Sequence, residues 1–377
     1  MKNIYQVKSA AAYRRIWVSY FFVKVFYLFF AKLVFAKLTT LGDTFRYLNG
    51  PTAFQSNWLL SSTAMMDTVA SSFAVVLGKF LGSFPFLIIS FFGVYYPISK
   101  LNISKKNLLI LIAFLSLPSF GVWTSIASKE AVGVFYMGVI LAAYMDLWNR
   151  ERISNKILLV FAVYLCFIFK PQYMIGISAL FLYTYIGRRF SVGAAEKLVV
   201  FILSVLIAVL VLYYFRDEID RLSKIMPLHF SERGGATREN TIWVEQYDFF
   251  KNAWYGMYIG FVGPTLDEAF SKATHLMAWL ESMTILTGFF WCMYKYFYVS
   301  LRVSRFNLMF LCGFALASFW ILFVHYPFSA INPGSAIRYR ESFYAFLVIL
   351  FYFMYSNAIS PYVCQSKSRN YNPGGSH

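Results

Sequence analysis

The sequence predicts an all-α fold, a polytopic membrane bundle of about ten transmembrane helices with one large outer loop and both termini in the cytoplasm. Of its 377 residues, 59% are hydrophobic and 21% aromatic, and the mean hydropathy is +0.58. Long apolar runs such as Leu198–Phe215 recur along the chain. Each approaches the roughly 20 residues that cross a hydrocarbon core of about 30 Å, and lipid offers no partner for backbone polar groups, which favours helices. We expect residues 1–377 to form a single integral-membrane domain.

The apolar runs predict where each span lies. In chain order the predicted spans are 16–36, 78–98, 107–118, 131–148, 156–170, 172–187, 197–215, 275–298, 306–326 and 341–357. The first run has no small-residue cleavage site, which predicts an uncleaved anchor and not a removed signal peptide. The third is short and ends at Pro118, which indicates a tilted or broken helix next to a cavity.

The basic residues fall on alternate sides of these spans. If the N-terminus is cytoplasmic, the cytoplasmic segments carry 18 of the 34 Lys and Arg residues and three acidic residues, a net charge of +15 within the chain's +17. The positive-inside rule describes this distribution, and it places both termini in the cytoplasm. A basic chain can bind nucleic acid, but here the charge follows the topology. We therefore expect the lipid bilayer, and no nucleic acid, as its partner.

Metal, disulfide and cofactor chemistry is not indicated. The four cysteines lie mostly within spans and form no C-x-x-C pair, which argues against a disulfide framework or a zinc site. We expect no cofactor, and a divalent metal is left open. Residues 360–377 are polar toward their end and contain Pro373-Gly374-Gly375, which predicts a disordered cytoplasmic tail.

Residues 216–274 form the large outer loop. Apolar residues from Phe215 to Met226 have helical spacing with charges between them, which predicts an amphipathic helix on the membrane surface. The segment from Thr265 to Glu268 has the pattern of a capping box that opens the next helix. Loops of this length in a compact protein are often functional.

Aromatic residues are concentrated in the second half of this loop. Trp243, Trp254 and Tyr255 are our candidates for binding a glycan by stacking on its sugar rings. The same residue types also form the interfacial aromatic belt of membrane proteins. Both roles stay open.

Six basic residues lie on the outer face, where the alternation predicts few, in polar clusters at the ends of spans. They are Lys37, Arg46, Lys129, Lys170, Arg338 and Arg340. Charges at a membrane boundary that oppose the topology are functional candidates. Several cations on one surface suit a diphosphate, since Arg offers paired N–H donors and Lys a point charge. Snorkelling or local ion pairing is the alternative for each residue taken singly.

Two residues on the same face are candidates for catalysis. Asp43 lies in the first outer loop, where it would act as a general base, although an Asx-turn or a helix N-cap would use the same side chain. His325 ends the ninth predicted span near the two arginines. It would act as a base or donate to phosphate, with a structural role as the alternative.

With these clusters placed, the chain resembles the GT-C class of polytopic glycosyltransferases, and especially bacterial O-antigen or capsule repeat-unit polymerases of the Wzy type. The resemblance rests on the topology and on Gly42-Asp43-x-x-x-Tyr47, the segment from Pro118 to Glu130, Lys170-Pro171-Gln172 and Arg338-x-Arg340. The chain departs from that pattern in two respects. Its outer loops show no R-x10-G pattern, and the first outer loop has no paired carboxylate.

That resemblance implies an undecaprenyl-diphosphate-linked glycan as the donor and a saccharide hydroxyl as the acceptor. It implies a bacterial inner-membrane protein whose active site and large loop face the periplasm. Asp43 would be the base, and Arg338, Arg340 and Lys129 would hold the leaving diphosphate. A chain-length regulator and other polysaccharide-assembly proteins are the expected partners. Two alternatives stay open, a GT-C enzyme that adds a single sugar and a non-enzymatic flippase or transporter of the lipid-linked saccharide.

Overall fold

The computed structural model describes residues 11–51, 56–190, 193–232, 237–303 and 306–370. Within these ranges the chain is helical and contains no strand, as the sequence predicts. Seven of the helices described are long and apolar enough to cross a membrane, where the sequence predicts about ten spans. The all-α class of the fold is therefore confirmed, and the seven long apolar helices are consistent with a multi-pass membrane protein.

The first half of the chain, in its described part, supplies seven helices. They are α1 (Ala11–Leu38, with a π-helical turn at Ala31–Phe35), α2 (Thr44–Leu48), α3 (Ser62–Leu81), α4 (Phe84–Ser99), α5 (Lys105–Phe114), α6 (Pro118–Trp123) and α7 (Lys129–Trp148). The predicted span 107–118 corresponds to α5 and the start of α6, a broken pair with Pro118 at the first position of its second helix. Proline is favoured there because that N–H has no helical partner.

The second half supplies ten helices within the described residues. They are α8 (Lys156–Phe169), α9 (Tyr173–Arg189), α10 (Ala194–Tyr214), α11 (Arg216–Glu232), α12 (Asp248–Lys251), α13 (Ala253–Val262), α14 (Leu266–Ala269), α15 (Ala273–Arg302), α16 (Leu308–His325) and α17 (Pro333–Asn370). A short 3₁₀ turn, Tyr326–Phe328, follows α16. α17 covers residues 360–370 of the predicted disordered tail, and residues 371–377 lie outside the described residues.

The sequence prediction does not include α3, and it begins the second span at residue 78, inside α3. Gly78 has φ +80° and interrupts α3 there. Both ends of α3 lie against one face of the bundle. Lys129 Nζ donates to Ser62 Oγ (3.0 Å), and Lys32 Nζ, toward the end of α1, donates to the carbonyl of Lys79 (2.7 Å). The part of α3 before Gly78 alone would reach about 24 Å, so we infer that α3 lies along that face.

α7 is the central helix of the bundle. It is buried along almost its whole length and packs against α4, α8, α9 and α17. Its closest approach is to α4, where glycines face each other. A Cβ on Gly138 would lie 1.8 Å from the carbonyl oxygen of Gly93. Only glycine therefore permits this crossing, and small residues at helix interfaces are typical of membrane bundles.

The large loop, residues 216–274, is mostly helical. The predicted amphipathic helix corresponds to α11, whose Asp220 accepts a hydrogen bond from the backbone N–H of Tyr247 (3.1 Å). The predicted capping box is present, since Thr265 Oγ1 accepts from the N–H of Glu268 and the Glu268 carboxylate accepts from the N–H of Thr265. The loop thus packs on itself and on the ends of the bundle.

The polar contacts between helix ends fall into two groups, which join different sets of segments. One group joins segments that the charge pattern assigns to the cytoplasm, through Tyr13–Ile103, Lys100–Asp146 and Arg150–Arg188. The other joins segments assigned to the outer face, through Asp43–Arg338, Thr44–Ala127 and Lys129–Ser62. Segments predicted to share a side therefore lie together in the fold.

Candidate functional site

Seven charged residues from six segments of the chain meet at the end of the bundle that the charge pattern assigns to the outer face. We call them the Arg338 cluster, which consists of Asp43, Arg46, Asp67, Lys129, Glu130, Lys170 and Arg338. The loop before α2, helices α2, α3, α7 and α17, and the turn between α8 and α9 each contribute to it. Four of the five predicted diphosphate ligands are members, together with the predicted base Asp43.

Arg338 lies between two carboxylates. Its Nη2 donates to Oδ2 of Asp43 at 2.9 Å, and its Nε lies 3.3 Å from Oε1 of Glu130. The Glu130 side chain is 1% exposed, whereas that of Asp43 is 40% exposed. The guanidinium also lies over the ring of Trp123, 5.4 Å from its centre. One anionic partner of Arg338 is therefore buried, and the other is open to solvent.

The loop that carries Asp43 is shaped by Gly42. Gly42 has φ +55°, and a Cβ there would lie 2.1 Å from Nη1 of Arg338. Glycine is required on both counts, because L-residues rarely adopt this backbone conformation and the guanidinium fills the space. Asp43 stands at the N-cap position of α2, but its side chain makes no capping hydrogen bond. The carboxylate faces Arg338 instead.

Three cations act on the carboxylate of Asp43. Arg46 lies 3.7 Å from it and also 3.3 Å from Asp67 on α3. Partial burial opposes ionisation of Asp43, but the hydrogen bond and charge of Arg338, with the charges of Arg46 and Lys129, hold the pKa of Asp43 below its usual 3.8. Asp43 is therefore an ionised, weakly basic group in this arrangement.

Lys129 lies where the N-termini of two long helices meet. Its Nζ donates to Ser62 Oγ (3.0 Å) and Thr63 Oγ1 (2.8 Å), in the first turn of α3, and Lys129 itself begins α7. Helix N-termini favour anions through their dipoles and free N–H groups. An ammonium, two hydroxyls and two helix N-termini together make the part of the cluster best suited to a phosphate.

Lys170 is half-buried at the end of α8, between aromatic rings. Its Nζ lies 4.6 Å from the ring centre of Tyr339 and 4.9 Å from that of Phe328. These are cation–π distances. Burial lowers the pKa of Lys170 to about 8, because the apolar surroundings disfavour the charged form. Lys170 is the cluster member whose charge is most easily lost.

Arg340 does not join the predicted diphosphate ligands. It is 1% exposed and lies in a second buried group, the Arg340 cluster, which consists of Ser119, Glu281, Ser282, Arg340 and Glu341. Two positions along a helix are separated by roughly 200° around its axis, so Arg338 and Arg340 point to different neighbours. The structure therefore places Arg340 apart from the other four predicted diphosphate ligands. Lys37, the remaining outer cation, is exposed at the end of α1, outside both clusters.

His325 is buried at the end of α16. Its Nε2 lies 3.2 Å from the carbonyl oxygen of Gly260 on α13, and its ring packs edge-on against Phe343. It is 1% exposed, and its contacts are with these residues and not with Asp43. His325, a predicted catalytic residue, thus joins α16 to the large loop.

The three predicted glycan-binding aromatics have different environments. Trp243 is 4% exposed and stacks on Tyr326, so its ring is covered and could stack on a sugar only if this pair separated. Trp254 and Tyr255, on α13, are 74% and 55% exposed. Trp254 packs edge-on against Phe319 of α16. Both exposed rings fit a sugar-stacking role and an interfacial-belt role equally.

No role is predicted from the sequence for Glu130, Asp67, Ser62 and Thr63. Glu130 carried a usable signal, because an acidic residue at the start of a strongly apolar span is a functional candidate by default. Asp67 and the two hydroxyl residues belong to α3, which was not predicted as a helix. Their meeting with Lys129 and Arg46 depends on how α3 lies across the bundle.

The cluster can bind an anion and accept a proton. Arg46, Lys129, Lys170 and Arg338 supply cationic donors, and Asp43 is the carboxylate that solvent reaches most easily on Arg338. Among the described residues, no group of three or more His, Cys, Asp or Glu side chains is placed to hold a metal ion.

Comparisons of the chain with protein-family models, with curated proteins and with solved structures found no match. The function is therefore inferred from the geometry of the Arg338 cluster and from the resemblance of the motifs that form it.

Proposed function

We propose that this protein is a membrane glycosyltransferase that uses an undecaprenyl-diphosphate-linked saccharide at the periplasmic face of the bacterial inner membrane. More specifically, we propose that it is an O-antigen, capsule or exopolysaccharide repeat-unit polymerase. One observation carries the proposal: three cations, Arg46 beside it in the chain and Lys129 and Arg338 from distant segments, act on the solvent-reached carboxylate of Asp43 at one end of the bundle. This pairing suits a reaction in which an anion leaves while a hydroxyl loses a proton.

The proposed reaction forms one bond and breaks one. The acceptor hydroxyl oxygen attacks the anomeric carbon of the donor sugar, and its proton passes to the carboxylate of Asp43. The bond between the anomeric carbon and the diphosphate oxygen breaks, and its electron pair leaves with the lipid diphosphate. Negative charge grows on that oxygen, so cations already in place stabilise the transition state. Arg338, Arg46 and Lys129 would supply them.

The position of the cluster supports a lipid-bound donor. Its residues lie at the ends of membrane-length helices such as α7 and α17, where the head group of a bilayer lipid is found. A donor presented by the membrane needs no separate nucleotide-binding domain. Trp254 and Tyr255, exposed on α13, are the candidates that remain for contacting the glycan. A chain-length regulator would be the expected protein partner.

The test is the length of the surface glycan in a strain that lacks the gene and is complemented with variants. Asp43→Asn, and Arg338→Met combined with Glu130→Gln so that no buried carboxylate loses its partner, should give a single repeat unit in place of long chains, at membrane protein levels equal to wild type. Lys37→Ala, which removes an outer cation that lies outside the cluster, is the matched control and should keep long chains. Long chains with Asp43→Asn would contradict the assignment. If the wild type itself adds only one sugar in a purified assay, the single-sugar enzyme replaces the polymerase.

A second candidate, a lipid-linked saccharide flippase or transporter, is favoured by charges buried within the bundle. Lys24 is 1% exposed and donates to Thr124, and the Arg340 cluster is buried as well. Intramembrane charges are typical of transport pathways. Purified protein in liposomes separates the two functions, since flipping of the lipid-linked saccharide without its elongation would favour the transporter.

A further inference from the structure

The two carboxylates on Arg338 are held very differently. Glu130 belongs to the buried helix α7 and is 1% exposed, whereas Asp43 belongs to a loop and is 40% exposed. A buried ion pair is costly to separate, because the remaining charge has neither water nor a partner. The pair with Asp43 is more open to solvent, with Arg338 12% exposed and Asp43 40% exposed, and ion pairs at the fully exposed limit are worth only about 0 to 1 kcal/mol. An incoming anion would therefore replace Asp43 and leave Glu130 in place.

Asp43 would compete with a phosphate for the guanidinium of Arg338. Its carboxylate lies within the field of Arg338, Arg46 and Lys129, and these are the cations proposed to hold the donor. Gly42, which precedes Asp43 and has φ +55°, is a residue type that adopts more backbone conformations than any other. Asp43 is thus an internal anion bound at an anion site.

The charges of the cluster fit this exchange. With Asp43 withdrawn, four cations face two carboxylates, Glu130 and Asp67, and two positive charges remain. A diphosphate that bridges a lipid and a sugar carries one negative charge on each phosphate. The site would therefore be neutral with the donor bound and Asp43 released.

We propose that the diphosphate of the donor displaces Asp43 from Arg338, and that this exchange releases the carboxylate as a base only when the donor is bound. The inference rests on the proposed function, because it assumes a diphosphate ligand. Glu130 acts as the positioning residue that keeps the guanidinium in place during the exchange. Release from Arg338 would also return the pKa of Asp43 toward its usual value and so make it a better proton acceptor.

The experiment is equilibrium binding of inorganic pyrophosphate to the purified full-length chain in detergent, near neutral pH. Asp43→Asn removes the competing anion and should tighten binding by at least about two- to fivefold, the range of an ion pair at the fully exposed limit. Asp67→Asn removes the same charge from the cluster without touching Arg338 and should change binding less.

A double-mutant cycle separates displacement from a general charge effect. Asp43→Asn is repeated in a chain that carries Arg338→Met together with Glu130→Gln, so that no buried carboxylate loses its partner. If pyrophosphate displaces Asp43 from Arg338, Asp43→Asn should no longer tighten pyrophosphate binding in the chain that lacks Arg338. The residue for which Asp43 and pyrophosphate compete is absent from that chain. Monodispersity on gel filtration checks that each variant is folded.

The outcomes distinguish this inference from the proposed function. Weaker or unchanged binding by Asp43→Asn, or equal tightening in both backgrounds, overturns displacement while the diphosphate site stands. If pyrophosphate binds neither the wild type nor Asp43→Asn, both ideas fail.

Discussion

Arg338 donates a hydrogen bond of 2.9 Å to Asp43, a residue 295 positions earlier in the chain. The contact joins the first loop to the start of the last helix, and the nearby Glu130 adds the central helix α7 to it. Three segments that are far apart in sequence thus form one charged site. The proposed chemistry depends on this contact more than on any other in the molecule.

The buried pair Arg340–Glu341 should contribute to stability. Arg340→Met leaves Glu341 and Glu281 buried without their cation, and breaking such a pair typically costs about 3–5 kcal/mol. SDS-driven unfolding in mixed micelles measures the loss. Lys37→Met, at an exposed position, is the control and should leave the midpoint unchanged. A loss as small as that of the control would show that water or a rearrangement satisfies the two acids.

Substituting the two tryptophans of the large loop should have different effects on stability. Trp243 is buried against Tyr326, so Trp243→Ala should reduce stability by about 3–5 kcal/mol, the cost of removing a large core side chain. Trp254 is 74% exposed, and Trp254→Ala should unfold at nearly the wild-type midpoint. If Trp254 stacks on the glycan, that variant should shorten the glycan chains while remaining stable. A stable Trp243→Ala protein would contradict the buried stack.

The crossing of α4 and α7 should not tolerate a methyl group. Gly138→Ala places a Cβ 1.8 Å from the Gly93 carbonyl oxygen, so the helices must separate. Overpacking of this kind typically costs about 1–3 kcal/mol. Gly334→Ala is the matched control, because its Cβ meets only the Asn332 side chain at 3.2 Å. Thermal unfolding in detergent should rank Gly138→Ala clearly below Gly334→Ala, and equal midpoints would argue against the close crossing.

Lys170 should make anion binding sensitive to alkaline pH. Its pKa is lowered to about 8 by burial, so it is mostly charged below that pH and loses its proton as the pH rises through it. Arg keeps its charge throughout this range. The ratio of pyrophosphate affinities, wild type to Lys170→Arg, should therefore fall above about pH 8. Changes in the ionisation of pyrophosphate with pH affect both proteins equally and so cancel in this ratio. A ratio that stays constant with pH would remove Lys170 from the anion site.

Some of the site was predictable and some was not, for physical reasons. Asp43, Arg46, Lys129, Lys170 and Arg338 were found because charges at membrane boundaries stand out against apolar spans. The surroundings of Arg340 and Trp243 could not be predicted, because residue type says nothing about which neighbour a side chain faces. Arg340 shares a helix with Arg338 but points to Glu341 and Ser282, and Trp243 stacks on a tyrosine.

By itself, the sequence determined that this is an all-helical, multi-pass membrane protein, because an apolar run of sufficient length is readable from composition alone. It also predicted which segments share a side, since charge alternation is a local property of successive loops. Only the tertiary structure decided that α3 lies along one face and that Glu130 and Asp43 share a single arginine. Those facts depend on contacts between residues tens to hundreds of positions apart, and no local pattern of the chain contains them.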